Sequence, residues 1–364
     1  MKYLATAILL LGFLADTTAQ KFTLAVYPDT QAEVGSKPEM FFPRFDWIVK
    51  SQDSLNIPMV IGVGDLTNFD NYNHWEVASR GYELFDLHQI PYSIVLGNHD
   101  TEAVGVYTGS AAPGNVNQNL RKTHKFNSYF PQSRFQNLRG VYEPGKSDNA
   151  YYTFKVGDTN WLVIALEFCP RQGPINWASD LCKEFYDYNV IITTHYYLTP
   201  RGEIADSNAG YGDFSPQTIF TRVVKPNPNV RLVLSGHVSS TAWRVDEIAG
   251  GNKVYSILQN YQNDDFGGGY IRLLQIDVDK GTIHASMYSP YYNKTRDDRS
   301  KFVIEGVSFI NNAESQEKGI KAYQEKVRLE REQWEKEHPE EAARQRRERE
   351  ERMRRWREAN PDRN

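Results

Sequence analysis

From Lys21 to about Asn311 the sequence predicts an α/β fold. Three observations predict it. Short apolar runs of strand length alternate with amphipathic stretches of helical length. The opening reads strand, helix, strand, helix, strand, an order that favours parallel strands with helices packed outside them. Five of the apolar runs end directly in a residue able to hold a ligand, as strands of open α/β sheets do where they build a site.

Each element follows from its own pattern. Phe22 to Tyr27 reads as a strand, Met40 to Gln52 as a helix and Met59 to Val63 as a second strand. Asn73 to His88 is a second helix and Tyr92 to Leu96 a third strand. Gly105 to Gly140 is rich in Asn, Gln and Ser and reads as a long surface insertion that could close over a site. Tyr151 to Val156 and Trp161 to Leu166 form a hairpin about the turn Gly157-Asp158. A helix from Ile175 to Tyr186, a strand from Val190 to Thr194, a helix from Gln217 to Val224 and a strand from Arg231 to Leu234 follow. Strands near Thr241, Val254, Ile271 and Ile283 complete the core, and no internal repeat is visible.

The two ends have a different character. Lys2 precedes an apolar run from Leu4 to Leu14, and Thr17-Thr18-Ala19 offers small residues for cleavage. Residues 1–19 therefore read as a signal peptide, with a secreted or periplasmic protein starting near Gln20. The alternative is an uncleaved anchor, for which the run is shorter than the roughly 20 residues a span needs. No later segment is long and apolar enough to cross a bilayer. Residues 20–312 form the predicted domain, and residues 313–364 a tail dominated by Glu, Arg, Lys and Gln. Ile320, Tyr323, Val327 and Trp334 give the tail a coiled-coil-like seam, interrupted by Pro339. A solvated helix, a helix for self-association or a partner, and a disordered segment all fit this pattern.

Apolar residues make up 40% of the chain, enough for a sizeable core. The net charge of −4 excludes a broadly polyanion-binding surface, and no nucleic-acid-binding motif is present. In an oxidising compartment Cys169 and Cys182 are candidates for one disulfide, which spacing alone does not establish.

The residues that carry chemistry stand at the strand ends. Asp29 and Gln31 follow Leu24 to Tyr27, and Asp65 follows Val60 to Gly64. Asn98 and His99 follow Ile94 to Gly97, His195 follows Ile191 to Thr194, and His237 follows Leu232 to Gly236. Singly, a strand-end Asp or Asn is more often a turn former, and a lone His more often a satisfied core or surface residue. In order, Asp-Thr-Gln, Gly-Asp-Leu-Thr-Asn, Gly-Asn-His-Asp, Thr-His and Gly-His-Val-Ser form a set.

By that set, over roughly Lys21 to Pro290, the sequence resembles the calcineurin-like metallophosphoesterases. The resemblance implies a four-layer αββα sandwich of two mixed sheets, here followed by a charged C-terminal helical tail. It implies two divalent metal ions, drawn from Mn, Mg, Ca, Fe or Zn, with Asp65 as bridging carboxylate. Asn98, His195 and His237 complete one position; Asp29 and the side chain two residues on hold the other. It also implies a phosphate-ester substrate. Such esters are anionic, and a metal pair neutralises that charge and lowers the pKa of water beside it towards about 7. His99, next to ligand Asn98, is placed as general acid for the leaving group, or serves as a hydrogen-bonded structural histidine.

Three departures accompany the resemblance. Gln31 stands where the family has His, and Ser239 where it ends Gly-His-x-His. Both losses fall on one metal position, which should be weak and oxygen-rich. Asn68 replaces an Asp that often orients the catalytic His, leaving Asp70 or Asp100 as candidate substitutes. Other candidates are softer. Asn98 and Arg171 are candidate substrate contacts, although Arg171 could equally pair with a carboxylate. Tyr196 and Tyr197 wall the pocket or belong to the core. Phe266 to Tyr270 approaches a phosphate or is a strand-entry turn. The functional alternatives are a degenerate single-metal member that binds a phosphorylated ligand without turnover, and a scaffold acting through its helical tail.

Overall fold

The computed structural model describes residues 20–107, 111–116, 119–311, 325, 328–329, 331–344, 347 and 354. The signal-peptide segment 1–19 and the seam positions Ile320, Tyr323 and Val327 lie outside the described residues.

Two seven-stranded mixed sheets form the centre. The first begins with β1 (Lys21–Tyr27), β2 (Val60–Gly62) and β3 (Tyr92–Ile94), all parallel. The chain then builds the second sheet from β4 (Leu138–Val141), β5 (Ala150–Val156), β6 (Thr159–Leu166), β7 (Asn189–Thr194), β8 (Val230–Ser235), β9 (Thr241–Glu247) and β10 (Lys253–Gln259). It returns to the first sheet with β11 (Ile271–Asp277), β12 (Thr282–Ser289), β13 (Lys294–Thr295) and β14 (Phe302–Ile304). The strand orders are β13-β12-β11-β1-β2-β3, with β14 also on β12, and β4-β5-β6-β7-β8-β10-β9. In the second sheet β6, β7, β8 and β10 are parallel.

Strand periodicity produces the layers. Phe22 on β1 faces inward and meets Trp161 of β6 at 5.0 Å between ring centres. Tyr27, of opposite parity, faces outward and meets Phe45 at 5.4 Å. Phe45 lies on α3 (Pro43–Leu55), which packs with α4 (Tyr72–Leu87). These two follow the short α1 (Gln31–Ser36) and α2 (Pro38–Phe41). On β6, Trp161, Val163 and Ala165 join the inter-sheet core, whereas Leu162, Ile164 and Leu166 pack against Ile175, Ala178 and Cys182. Those three belong to α7 (Gln172–Glu184), which follows α5 (Pro113–Val116) and α6 (His124–Tyr129) and precedes α8 (Pro216–Ile219). The result is the expected α/β sandwich, helices outside two sheets.

Several elements differ from the sequence reading. The helix expected over 40–52 is two helices, because Pro43 has no N–H to continue the first and starts the second. The helix over 217–224 is α8 followed by a wider π-type turn at Phe220–Val224. The insertion is not bare loop: it carries α5, α6 and β4, and β4 extends the second sheet beside β5.

The expected Cys169–Cys182 disulfide is not formed; both cysteines are buried and free. Cys182 points from α7 into the outer core, whereas Cys169 lies beyond the end of β6 beside Leu120 and Phe168. The two packing clusters are separate, so no short path joins the sulfurs. Burial pushes both thiols up to about 12, which leaves them unreactive. In the tail, the described residues pair along the helix, Arg328 with Glu332 at 2.6 Å and Arg331 with Glu335 at 3.0 Å. Trp334 stacks on His338 at 5.1 Å.

Candidate metal centre

Parallel strands place their carboxyl ends on one side, and the sandwich brings two such rows together. Asp29, Asp65 and Asn98 follow β1, β2 and β3; His195 and His237 follow β7 and β8. Two of these residues hold a backbone that a side chain disfavours: φ is 50° at Asp65 and 68° at His237. Strain of this kind, of order 1–3 kcal/mol, persists where surrounding bonds over-determine it. Those bonds are present. The Asp65 carbonyl accepts from the N–H groups of Thr30 (3.0 Å) and Gln31 (2.9 Å). The His237 N–H donates to both oxygens of Asp29, at 3.2 and 3.0 Å. Two glycines permit the close approach. A Cβ at Gly97 would lie 2.1 Å from Asp65 Oδ1, and one at Gly236 2.0 Å from Asp29 Oδ1.

The first cation position is well defined. His195 is fully buried, and its Nδ1–H donates to the Val63 carbonyl at 2.8 Å. That bond fixes the tautomer and turns the Nε2 lone pair inward. Nε2 lies 3.2 Å from Asp65 Oδ2 and 3.2 Å from His237 Nδ1, and His237 Nδ1 lies 3.0 Å from Asn98 Oδ1. Four ligand atoms around a cation at about 2.1 Å are separated by about 3.0 Å in an octahedron and about 3.4 Å in a tetrahedron. The observed edges fall in that range. The charges agree. Burial acts to lower the His195 pKa, but Asp65 and Asp29 raise it to about 9. Burial and His195 push His237 down to about 3. Burial opposes ionisation of Asp65, yet His195, His99 and His237 hold it below the usual carboxylate range. The cluster demands positive charge at its centre.

The second position is poorer in donors. Burial raises Asp29 well above the carboxylate range, His195 opposes the rise and Asp65 adds to it. Positive charge is therefore lacking on this side. Gln31 Nε2 donates to Asp65 Oδ2 at 2.9 Å, and its buried Oε1 has no hydrogen-bond partner. A buried orphan amide oxygen on a side chain that touches Asp65 suits a hard cation. Ser239 is exposed and adds nothing. The residues thus fit two ions, one position stronger than the other.

His99 is tied to both halves. Its N–H donates to Asp65 Oδ1 at 3.0 Å, and its Nδ1 meets the Asn68 carbonyl at 3.0 Å. The orienting group is therefore the Asn68 main chain, not Asp70 or Asp100. Asp70 holds Trp75 and Lys125; Asp100 accepts from Thr67 and Gly97. Arg171 follows the carboxylate-pairing alternative: its guanidinium is engaged by Glu143 and Glu167, at 2.6 and 2.8 Å. Tyr197 is core, whereas Tyr196 meets the His237 ring at 4.9 Å. The Gly-rich run at 267–269 is a turn held by Glu33, whose Oε1 accepts from the Gly269 N–H at 2.9 Å.

Two contributors were not singled out from the sequence. Asn260 Nδ2 donates to Asp29 Oδ2 at 2.6 Å and to the His237 carbonyl at 3.1 Å. It follows β10 directly, so it carries the same strand-end signature as the other five sites. Tyr211 packs on His237 (5.4 Å) and Phe168 (4.9 Å). It sits in a loop, and only tertiary packing reveals it.

Buried carboxylates, lone-pair imidazoles and an amide oxygen at the strand ends of a double-sheet sandwich define a metallohydrolase centre. The chain belongs to the calcineurin-like phosphoesterase family, whose sequence profile matches residues 22–240. It is 31% identical over 279 residues to the uncharacterized protein YvnB of Bacillus subtilis (strain 168). That match covers 74% of this chain and 20% of YvnB, so the chain spans about one fifth of the relative's length. Among solved structures it is similar to a purple acid phosphatase from yellow lupin (Lupinus luteus) seeds, with TM-score 0.47, 12% identity and coverage of 79% of this chain and 54% of that one. It is also similar to a dimetal phosphatase from Danio rerio, with TM-score 0.46, 13% identity and coverage of 79% and 99%. Among the described residues no helix is long and apolar enough to cross a membrane.

Proposed function

We propose that this chain hydrolyses phosphate mono- or diesters by attack of water on phosphorus, with His99 as general acid, after export by the segment 1–19. The observation that carries the reading is the ring of Asp65, His195, His237 and Asn98 with edges of 3.0–3.2 Å, and His99 hydrogen-bonded to its central carboxylate. Bound ions, held by that ring and by Asp29, Gln31 and Asp65, supply charge neutralisation and a water of lowered pKa. The chain's own groups do the rest. A P–O bond forms to the water oxygen as the P–O bond to the leaving oxygen breaks. With Nδ1–H donating to the Asn68 carbonyl, a His99 ring that also carries a proton on Nε2 passes the Nε2 proton to the leaving oxygen and keeps the Nδ1 proton. Asp65, gripped by His99 N–H and Gln31 Nε2, keeps its orientation throughout.

The test is metal analysis of the purified chain beside hydrolysis of nitrophenyl mono- and diesters with Mn²⁺, Mg²⁺, Ca²⁺ or Zn²⁺ added. Metal-stimulated turnover is expected; its absence with every ion overturns the reading. One observation favours a second reading. Gln31 Nε2 already satisfies Asp65 Oδ2, as an amide standing in for a cation would. A single-metal binder without turnover would show one ion per chain and no hydrolysis.

A further inference from the structure

Two tyrosines crowd the metal ligand His237. Tyr196 lies 4.9 Å from its ring and Tyr211 5.4 Å, and Phe168 closes a third side at 5.3 Å. Both tyrosines are half-buried, and neither hydroxyl has a hydrogen-bond partner among the described residues. Free phenol donors on the rim of a phosphoesterase centre are placed to meet phosphoryl oxygens.

The cationic side chains flanking this wall are already engaged. Arg121 donates to the Phe168 and Cys169 carbonyls, at 2.7 and 2.6 Å, and pairs with Asp213. Arg171 is held by Glu143 and Glu167. A phosphomonoester is a dianion with one substituent, and its binding is usually met by guanidinium or ammonium groups. A diester is a monoanion with a second substituent, which needs a wall to lie against. Neutral donors on aromatic faces serve the second substrate better than the first.

We infer that the site is specific for phosphodiesters, with the Tyr196 and Tyr211 hydroxyls donating to the non-bridging oxygens and the Phe168–Tyr211 face receiving the retained substituent. This rests on the hydrolytic reading above and deepens it. The reaction balances as diester plus water giving monoester plus alcohol. The product monoester and the alcohol then leave.

The experiment compares bis(p-nitrophenyl) phosphate with p-nitrophenyl phosphate on the metal-loaded full chain. The diester should show at least about tenfold higher kcat/KM, the worth of one well-placed hydrogen bond. Tyr211→Phe and Tyr196→Phe keep the rings, and each should cost the diester about tenfold while leaving metal content and circular dichroism unchanged. A faster monoester reaction, or a diester-to-monoester ratio unmoved in both variants, overturns the inference while leaving the hydrolytic reading intact. Should neither ester turn over, the hydrolytic reading fails and calorimetry still decides the inference. The monomethyl ester of phenylphosphonate should then bind more tightly than phenylphosphonate itself, and the reverse order overturns it.

Discussion

The two halves of the proposed metal centre share one carboxylate and differ in their other donors. At the first position the side chains of Asn98, His195, His237 and Asp65 converge, with neighbouring atoms 3.0–3.2 Å apart. Around Asp29, the same Asp65 meets an amide, Gln31, and Ser239, which stands where the family has a histidine, is exposed to solvent. The first half is organised by the His195 ring, whose tautomer Val63 fixes from behind; the second is held by hydrogen bonds to the carboxylates themselves. Affinity therefore depends less on how many acids are present than on how many lone pairs are left free to face an ion.

Variants can break or sharpen that contrast. The largest effect should come from Asp65→Asn, which removes the charge common to both halves. Turnover should fall to the uncatalysed level and metal content should drop in both positions, as read by elemental analysis. His99→Gln should lower kcat by roughly 10²–10⁴-fold while both ions remain, which separates proton delivery from ion binding. Co-purified metal lost in parallel would instead make His99 a support for Asp65.

Smaller effects separate the halves. Asn260→Ala frees Asp29 from its one side-chain donor among the described residues and should weaken the second ion by about 10–100-fold, the usual cost of losing such a supporting bond. The first ion should be untouched in equilibrium dialysis. Gln31→His should tighten the second ion by about tenfold, whereas Ser239→His alone should do less because that position faces solvent. The smallest effect should follow truncation after Asn312. The described tail residues pair with one another, so thermal stability and activity should change little, and sizing of both forms tests for self-association.

Much of this was legible in the sequence, for identifiable reasons. The central strands are continuous apolar runs bounded by glycine or polar residues, and their observed limits fall within a few residues of the expected ones. The element at Gln31–Ser36 is too short to show a helical period, and β13 and β14 are defined by pairing with β12, not by any pattern of their own. Pro43 was a readable break in the helix over 40–52. In the site, five strand ends announced themselves, and Asn260 at a sixth carried the same mark. Tyr211 did not, because its place beside His237 and Phe168 is set by tertiary packing of a loop and not by any strand-end pattern. The absent disulfide has the same cause: sequence distance does not show which face of a sheet a cysteine meets.

His237 belongs to both halves at once. Its ring faces Asn98 and His195, while its main-chain N–H grips Asp29 from a left-handed backbone. A shift of the His237 backbone that suits one ion also moves the donor that orients the acid for the other. The two binding events are then thermodynamically linked, and by reciprocity each alters the other's affinity by the same factor. Loading should depart from two independent hyperbolas, and its order should not depend on which ion is offered first.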